Sequence, residues 1–502
     1  LFIGGVIYLA FLFFVAYATD RGLIPQRWVS HPLTYTLSLG VYATSWTYYG
    51  SVGFAVGSGF QFLTIYLGVT LAFVLSPVLL RPILRLTQEY QLSSLADLFA
   101  FRYRSQLAGI LVTLFMLMGT LPYIALQIRA VTQSLQVLTD EAPPHILALG
   151  FCITLTVFAI LFGARHISPR EKHAGLVVAI AFESLIKLLA LLAVGLFALF
   201  GVFDGPQHLS NWLSEHPQAI ERLYQPVGQD PWFTLIMLSF AAAFLLPRQF
   251  HMLFAENLNE AALKTASWSF PLFLLLLNLF IPIILWAGQY LQLSMDPDYF
   301  VLGITLQQGS TWMPLLTFIG GISAASAMVI VTTLALSSMC LNHLLLPASY
   351  PDPKINLYYW LLWGRRFLIG TIILAGYSFY AFLDHREGLV QLGLISFVAV
   401  AQFLPGIAGL LYWRRATGKG FIVGLLGGIM VWIFTLLVPL LYNSNIIGSD
   451  LYADTLQQAS GMDHWSFATF WSLALNGLLV SLVSLMTKQN PGEQEASQAC
   501  CS

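Results

Sequence analysis

The 502-residue chain is 58% hydrophobic and only 9% charged, with mean hydropathy +0.76 and net charge -1. A soluble domain carries roughly 25% charged residues, so this composition excludes a soluble globular fold and describes an all-α polytopic membrane bundle. The near-neutral charge and lack of a dense basic run exclude nucleic acid as a partner. Cys152 and Cys340 inside apolar spans and Cys500 and Cys501 in a polar tail argue against a disulfide framework or a zinc site.

Apolar windows of about 20 residues predict thirteen spans, with the lipid bilayer as solvent. The first, 1-19, is longer than a signal-peptide core and begins at Leu1, so the chain is expected to start just before or inside its first span. Spans near 33-60 and 61-87 follow, and then TQEYQLSSLADLFAFRYR (88-105), too polar to span, reads as an amphipathic helix on the cytoplasmic surface. The spans continue at 106-137, 146-165 and 174-203, a polar outer loop at 204-230, and 231-255, 269-293, 313-342, 367-383, 389-413, 420-442 and 464-487. Residues 1-488 form the transmembrane domain, with a core of about 33-413, and 489-502 reads as a cytoplasmic linker.

Alternating sidedness puts Arg21, Arg27, Arg81, Arg85, Arg102, Arg104, Arg165, Arg170, Lys172, Lys264, Lys354, Arg365, Arg366, Arg414, Arg415, Lys419 and Lys488 on one side, leaving Arg222 and Arg386 opposite. The positive-inside rule makes the first side cytoplasmic, so the amino end faces outward and the carboxyl end inward.

Charge inside hydrocarbon survives only against protein or water, which singles out Arg129, Glu183, Lys187 and Arg248. Glu183 and Lys187, spaced i,i+4, are expected to pair on one helix face. Unwound backbone at membrane depth offers free amides and carbonyls, and two segments predict it. GVYATSWTYYGSVGFAVGSGF (40-60) is rich in glycine, and SFAAAFLLPRQFH (239-251) carries Pro247 before Arg248, Gln249 and His251. Five spans separate their starts, the spacing of inverted repeats around a central site. Tyr42, Trp46, Tyr48, Tyr49 and Tyr123 are aromatic candidates for lining it. No two of the ten histidines share helical metal-ligand spacing, so no metal and no cofactor is expected.

QLSSLADLFAFRYRS (91-105), PRQFHMLFAE (247-256) and FLPGIAGLLYWRRATGKGFIVGLLGG (403-428) resemble the sodium/solute symporter family. The resemblance implies a five-plus-five inverted-repeat, LeuT-like core with one extra helix before it and two after. HPLTYTLSLGVYATSWTYYGSVGF (32-54) and GARHISPREKHAG (163-175) are most similar to the transporter domains fused to bacterial sensor histidine kinases. That implies a bacterial inner membrane, covalently linked kinase domains in a full protein, no enzyme activity in these residues, and a small-molecule solute, L-histidine or a related amino acid.

The family's sodium site takes carbonyls from the first break and two hydroxyls from a later helix. Laid on that pattern, the positions here are Gly40, Ala43, Ala325, Met328 and Val329, and neither Met328 nor Val329 offers an oxygen. Tyr42 stands where the bacterial sodium/proline symporter has an aspartate. Protons are therefore expected to replace sodium through Glu183 or Lys187, which lie roughly 13 to 20 Å into a ~30 Å core. The solute is expected on the broken backbone at 40-50 with Tyr42, Thr44, Ser45, Trp46, Tyr123, Gln127, Ser239 and Gln402; Gln402, close to Pro405, has the alternative of satisfying freed backbone groups. The alternative function is a receptor that binds the solute without moving it and signals to the kinase.

Overall fold

The computed structural model describes residues 2-139, 143-163, 173-224, 231-257, 260-307, 312-348, 356-383, 389-443 and 460-501. Arg165, Arg170, Lys172, Lys354, Arg386 and most of GARHISPREKHAG lie outside them. Among the described residues all regular structure is helical. Apolar side chains covering whole helices leave the helix as the form that satisfies each backbone group within its own segment.

After α1 (Phe2–Asp20), helix α2 (Pro32–Leu39) leads into the first irregular stretch, and the chain resumes as a wide turn at Trp46–Gly50 and α3 (Ser51–Ser58). Gly59 has φ 56, and a Cβ there would lie 2.4 Å from the Leu223 carbonyl oxygen, so this link to α4 (Thr64–Val74) demands glycine on both counts. Helices α5 (Leu80–Glu89), α6 (Leu95–Tyr103), α7 (Gln106–Thr139), α8 (Pro144–Gly163) and α9 (Ala174–Phe197) follow. The second half holds α10 (Trp232–Leu245), α11 (Pro247–Phe250), α12 (Glu260–Asn278), α13 (Ile281–Tyr290), α14 (Phe300–Gln307), α15 (Met313–Cys340), α16 (Leu357–Phe382), α17 (Leu389–Ala401) and α18 (Leu404–Tyr412). It closes with α19 (Gly418–Trp432), α20 (His464–Met486) and α21 (Pro491–Cys500).

Nine helical stretches among the described residues are long and apolar enough to cross a bilayer, or ten with the bent pair Trp232–Leu245 and Pro247–Ala255. Thirteen is not reached by that criterion. Trp46–Val74 counts there as one stretch despite the turn at Gly59, and α16 carries Arg365 and Arg366.

Burial sorts centre from rim. The most apolar windows of α15 and of Leu389–Tyr412 are each 83% buried, against 28% for α8 and α20. Helix α9 packs on α15, α2 and α1, while α7 packs on α17 and α10 on α4. The α4–α10 approach is close enough that a Cβ on Gly68 would lie 2.0 Å from Ser239 Oγ.

Three sequence expectations change. Residues 88-105 do not lie as one amphipathic surface helix: Glu89 ends α5, Gln91 turns at φ 54, and α6 docks under the bundle. Leu98, Phe99 and Arg102 in α6 are wholly buried, and Arg102 donates to the Trp413, Arg414 and Ala416 carbonyls. One of its terminal nitrogens thus faces three carbonyls, while Nε and the other terminal nitrogen have no partner among the described residues. The 204-230 loop contains helices at Pro206–Glu215 and Pro217–Glu221. The tail read as a linker is helical as α21, because Asn490 and Glu493 form a reciprocal capping box with proline in the first turn. Glu493 also accepts from the Gly418 amide, and α21 packs on α6 and α18.

Candidate functional site

Both predicted interruptions are present and face each other in the centre. The first helix tightens at Gly40–Tyr42 and opens at Ala43, which is extended with ψ 100. Gly40 is required there, because a Cβ would lie 2.5 Å from Ser184 Oγ on α9. In the second, Leu246 is extended at ψ 139 between α10 and α11, with Pro247 restarting the helix at a 50° bend.

The first break is satisfied by neighbouring side chains. Lys187 Nζ, 1% exposed, donates to the Gly40 carbonyl at 2.6 Å and the Ala43 carbonyl at 2.7 Å. The Ser45 amide donates to Gln127 Oε1 at 3.1 Å, and Thr44 shares a 3.0 Å hydroxyl bond with Tyr123. The carbonyls expected to hold sodium thus converge on Lys187 Nζ. Ala325, Met328 and Val329 are wholly buried in α15 and present no oxygen from their side chains.

The expected Glu183–Lys187 ion pair does not form. Helical spacing puts the two side chains on one face, but the carbonyls freed by the break compete for Lys187, and Glu183 accepts instead from Ser326 Oγ at 2.6 Å. Ser323 on the same helix donates to the Glu183 backbone carbonyl and accepts from Tyr8.

Around these groups the rings interlock. Tyr123 stacks on Phe397 with centroids 5.8 Å apart and planes 7° apart, and Trp46 meets Phe397 at 5.1 Å and Tyr123 at 6.5 Å. Tyr42 lies 6.4 Å from Phe397 and donates to the Ile65 carbonyl. Phe397 was not anticipated; nothing in sequence separates it from the other phenylalanines of a span that is apolar throughout.

The second break is not settled in this way. The guanidinium carbon of Arg248 sits 4.4 Å from the Tyr123 ring centroid, yet the side chain is 0% exposed and none of its three nitrogens meets an acceptor at hydrogen-bonding geometry. Cation–π contact contributes about 2 kcal/mol when desolvated, whereas burying an ion costs several kcal/mol, so stacking alone leaves Arg248 uncompensated. Gln249 donates to the Leu39 carbonyl at 3.4 Å, while its Oε1 and Ser45 Oγ have no partner.

Tyr42, Thr44, Ser45, Trp46, Tyr123, Gln127, Gly40, Ala43 and Lys187 therefore share one centre. Two expected residues stand elsewhere. Ser239 spends its hydroxyl on carbonyls of Thr64, Leu235 and Ile236, where α10 crosses Gly68. Gln402 Nε2 donates to the Val398 carbonyl and to Ser472 Oγ, and its Oε1 accepts from Asn476, tying the α17–α18 interruption to α20; the Val398 bond is the backbone-satisfying alternative. Arg129 lies toward the far end of α7, where its charge acts on Asp298 and Tyr299.

Two features flank the centre. A cavity of about 360 Å³ is lined by Gly53, Gln61, Asp298, Leu389, Gln391 and Trp465. Burial pushes the Asp298 carboxyl up to about 7, Asp296 adding to the rise and the Leu389 amide and Arg129 opposing it. At the end of the second broken helix, His173 and His251 approach Glu256 Oε1 at 2.8 and 3.2 Å. Burial would raise the Glu256 pKa, but the two histidines outweigh it and hold the carboxyl well below the usual range. The ligand atoms lie within 4.8 Å of one another and form a possible metal cluster, which residues 78 apart in sequence could not announce.

No family model matches the chain. It is 23% identical to an uncharacterised symporter of Bacillus subtilis, YhjB, over 79% of this chain and 78% of that one, and 22% identical to a second, YodF, over 89% and 84%. Its fold superposes on a substrate-bound, outward-open Na+-coupled sialic acid symporter with TM-score 0.69 at 12% identity, covering 97% of this chain and 99% of the other. An inward-facing structure of Mhp1 follows with TM-score 0.50 at 12% identity, covering 94% and 95%. The chain has the LeuT-type fold of multi-pass membrane transporters. Both Bacillus relatives carry the name symporter.

Proposed function

We propose that the protein takes up an amino acid, L-histidine, by proton-coupled secondary transport in a bacterial inner membrane. Its amino end faces outward and its carboxyl end inward, toward a linked sensor kinase. The observation that carries the coupling is Lys187 Nζ within hydrogen-bonding distance of the Gly40 and Ala43 carbonyls. A protonated amine binds both oxygens and pins the first broken helix to α9. Loss of the proton removes the charge that the carbonyls favour and loosens that joint. Each half of the cycle then has its own conformation of the break, and the two repeats rock around the solute. The solute assignment rests on the resemblance of 32-54 and 163-175 to kinase-fused transporter domains.

Uptake of labelled L-histidine into proteoliposomes tests the reading, with a pH gradient, with a sodium gradient and with a protonophore. Proton-driven accumulation abolished by the protonophore is expected; strict dependence on sodium overturns proton coupling. A receptor reading draws support from α21, which packs on α6 and α18 and gives solute occupancy a route to the chain end. Counterflow separates the two, since a receptor binds histidine without exchanging it across the membrane.

A further inference from the structure

We propose that Arg248 is the receptor for a solute carboxylate, which makes carboxylate-bearing solutes the class this site accepts; the inference rests on reading the centre as a transport site. A guanidinium offers five N–H donors in a planar fork and stays charged at any physiological pH. At Arg248 that fork is wholly buried beside the helix break, and all three nitrogens are without an acceptor. The contrast is internal. Arg102 is equally buried and leaves two nitrogens unmatched, but one terminal nitrogen meets three carbonyls, whereas Arg248 has none matched.

The charges around the break point the same way. Lys187 is near enough to feel the Arg248 charge, and the acid one turn before Lys187 on α9, Glu183, is bonded to Ser326. Tyr42 and Tyr123, the other titratable groups against Arg248, are uncharged phenols. The unmatched guanidinium fork lacks an acceptor, which a carboxylate supplies in bidentate form. The ring of Tyr123 fixes the guanidinium plane, and the partnerless Gln249 Oε1 next in sequence offers an acceptor for an ammonium on the same solute.

Thermal unfolding of the purified full chain with L-histidine, imidazole propionate, histamine, L-proline and pyruvate tests this. Carboxylate-bearing compounds should raise the melting temperature and histamine should not. Arg248→Met should lose the shift while the unliganded protein melts no lower than wild type, because a buried unpaired charge has been removed. Arg248→Lys, which keeps the charge without the fork, guards against a folding defect and should bind at least tenfold more weakly. A wild-type response to proline or pyruvate but not to histidine supports the inference and ends the histidine assignment. Histamine acting as well as histidine, an undiminished response in Arg248→Met, or a wild-type chain indifferent to every carboxylate overturns it.

Discussion

The two helix breaks have the same backbone problem and opposite solutions. At 40-45 the freed backbone groups have neighbours, Lys187 for two carbonyls and Gln127 for an amide, Tyr123 takes the Thr44 hydroxyl, and Ser45 Oγ alone is left over. At 246-249 the chain leaves a guanidinium and an amide oxygen unmatched. An interruption completed from within is a joint, and one left incomplete is a receptor, because a buried polar group without a partner costs about 1–3 kcal/mol until something supplies one.

The sharpest way to break that contrast is Lys187→Met, which orphans the carbonyls of Gly40 and Ala43 together. Uptake should fall by roughly two orders of magnitude and stability by about 2–4 kcal/mol, read from proteoliposome flux and chemical unfolding. Wild-type flux would show that the joint is not what couples the proton. Gly40→Ala should cost about 1–3 kcal/mol through overlap with Ser184, and adding Ser184→Gly should recover most of it. A double mutant no better than the single would place the glycine's role elsewhere.

Tyr123 touches both breaks, so Tyr123→Ala should weaken histidine uptake about tenfold, or ~1.4 kcal/mol, and Tyr123→Phe, which keeps the ring and loses the hydroxyl bonded to Thr44, by less. Unchanged uptake in the alanine variant would remove it from the site.

Asp298 sharpens the comparison from outside the centre. Its carboxyl is raised from 3.8 to about 7, so the native state holds a proton that the unfolded chain has released; this group's contribution is full below pH ~4 and is lost as pH rises to about 7. Melting temperature measured across that window should therefore fall less steeply in Asp298→Asn than in wild type. Parallel curves would count against the shift. The smallest effect is expected at Ser239, whose hydroxyl serves helix packing: Ser239→Ala should leave histidine affinity within about twofold, read by the same flux assay.

Much of this was written in the chain. Apolar length marked the spans, Gly-rich 40-60 and Pro247 marked both breaks, and charge at membrane depth marked Glu183, Lys187 and Arg248. Those signals are local, and local rules read them. The partners are not local: Lys187 bonds residues 144 and 147 positions away, Glu183 a serine 143 away, and Arg248 stacks on a ring in another helix. Helical spacing predicted a Glu183–Lys187 pair because it sees one helix at a time. Composition and hydropathy determined that this chain enters a bilayer and where its helices fail; only packing decided which failures were completed from within, since hydrogen bonds form between surfaces that meet and not between residues that are merely near in sequence.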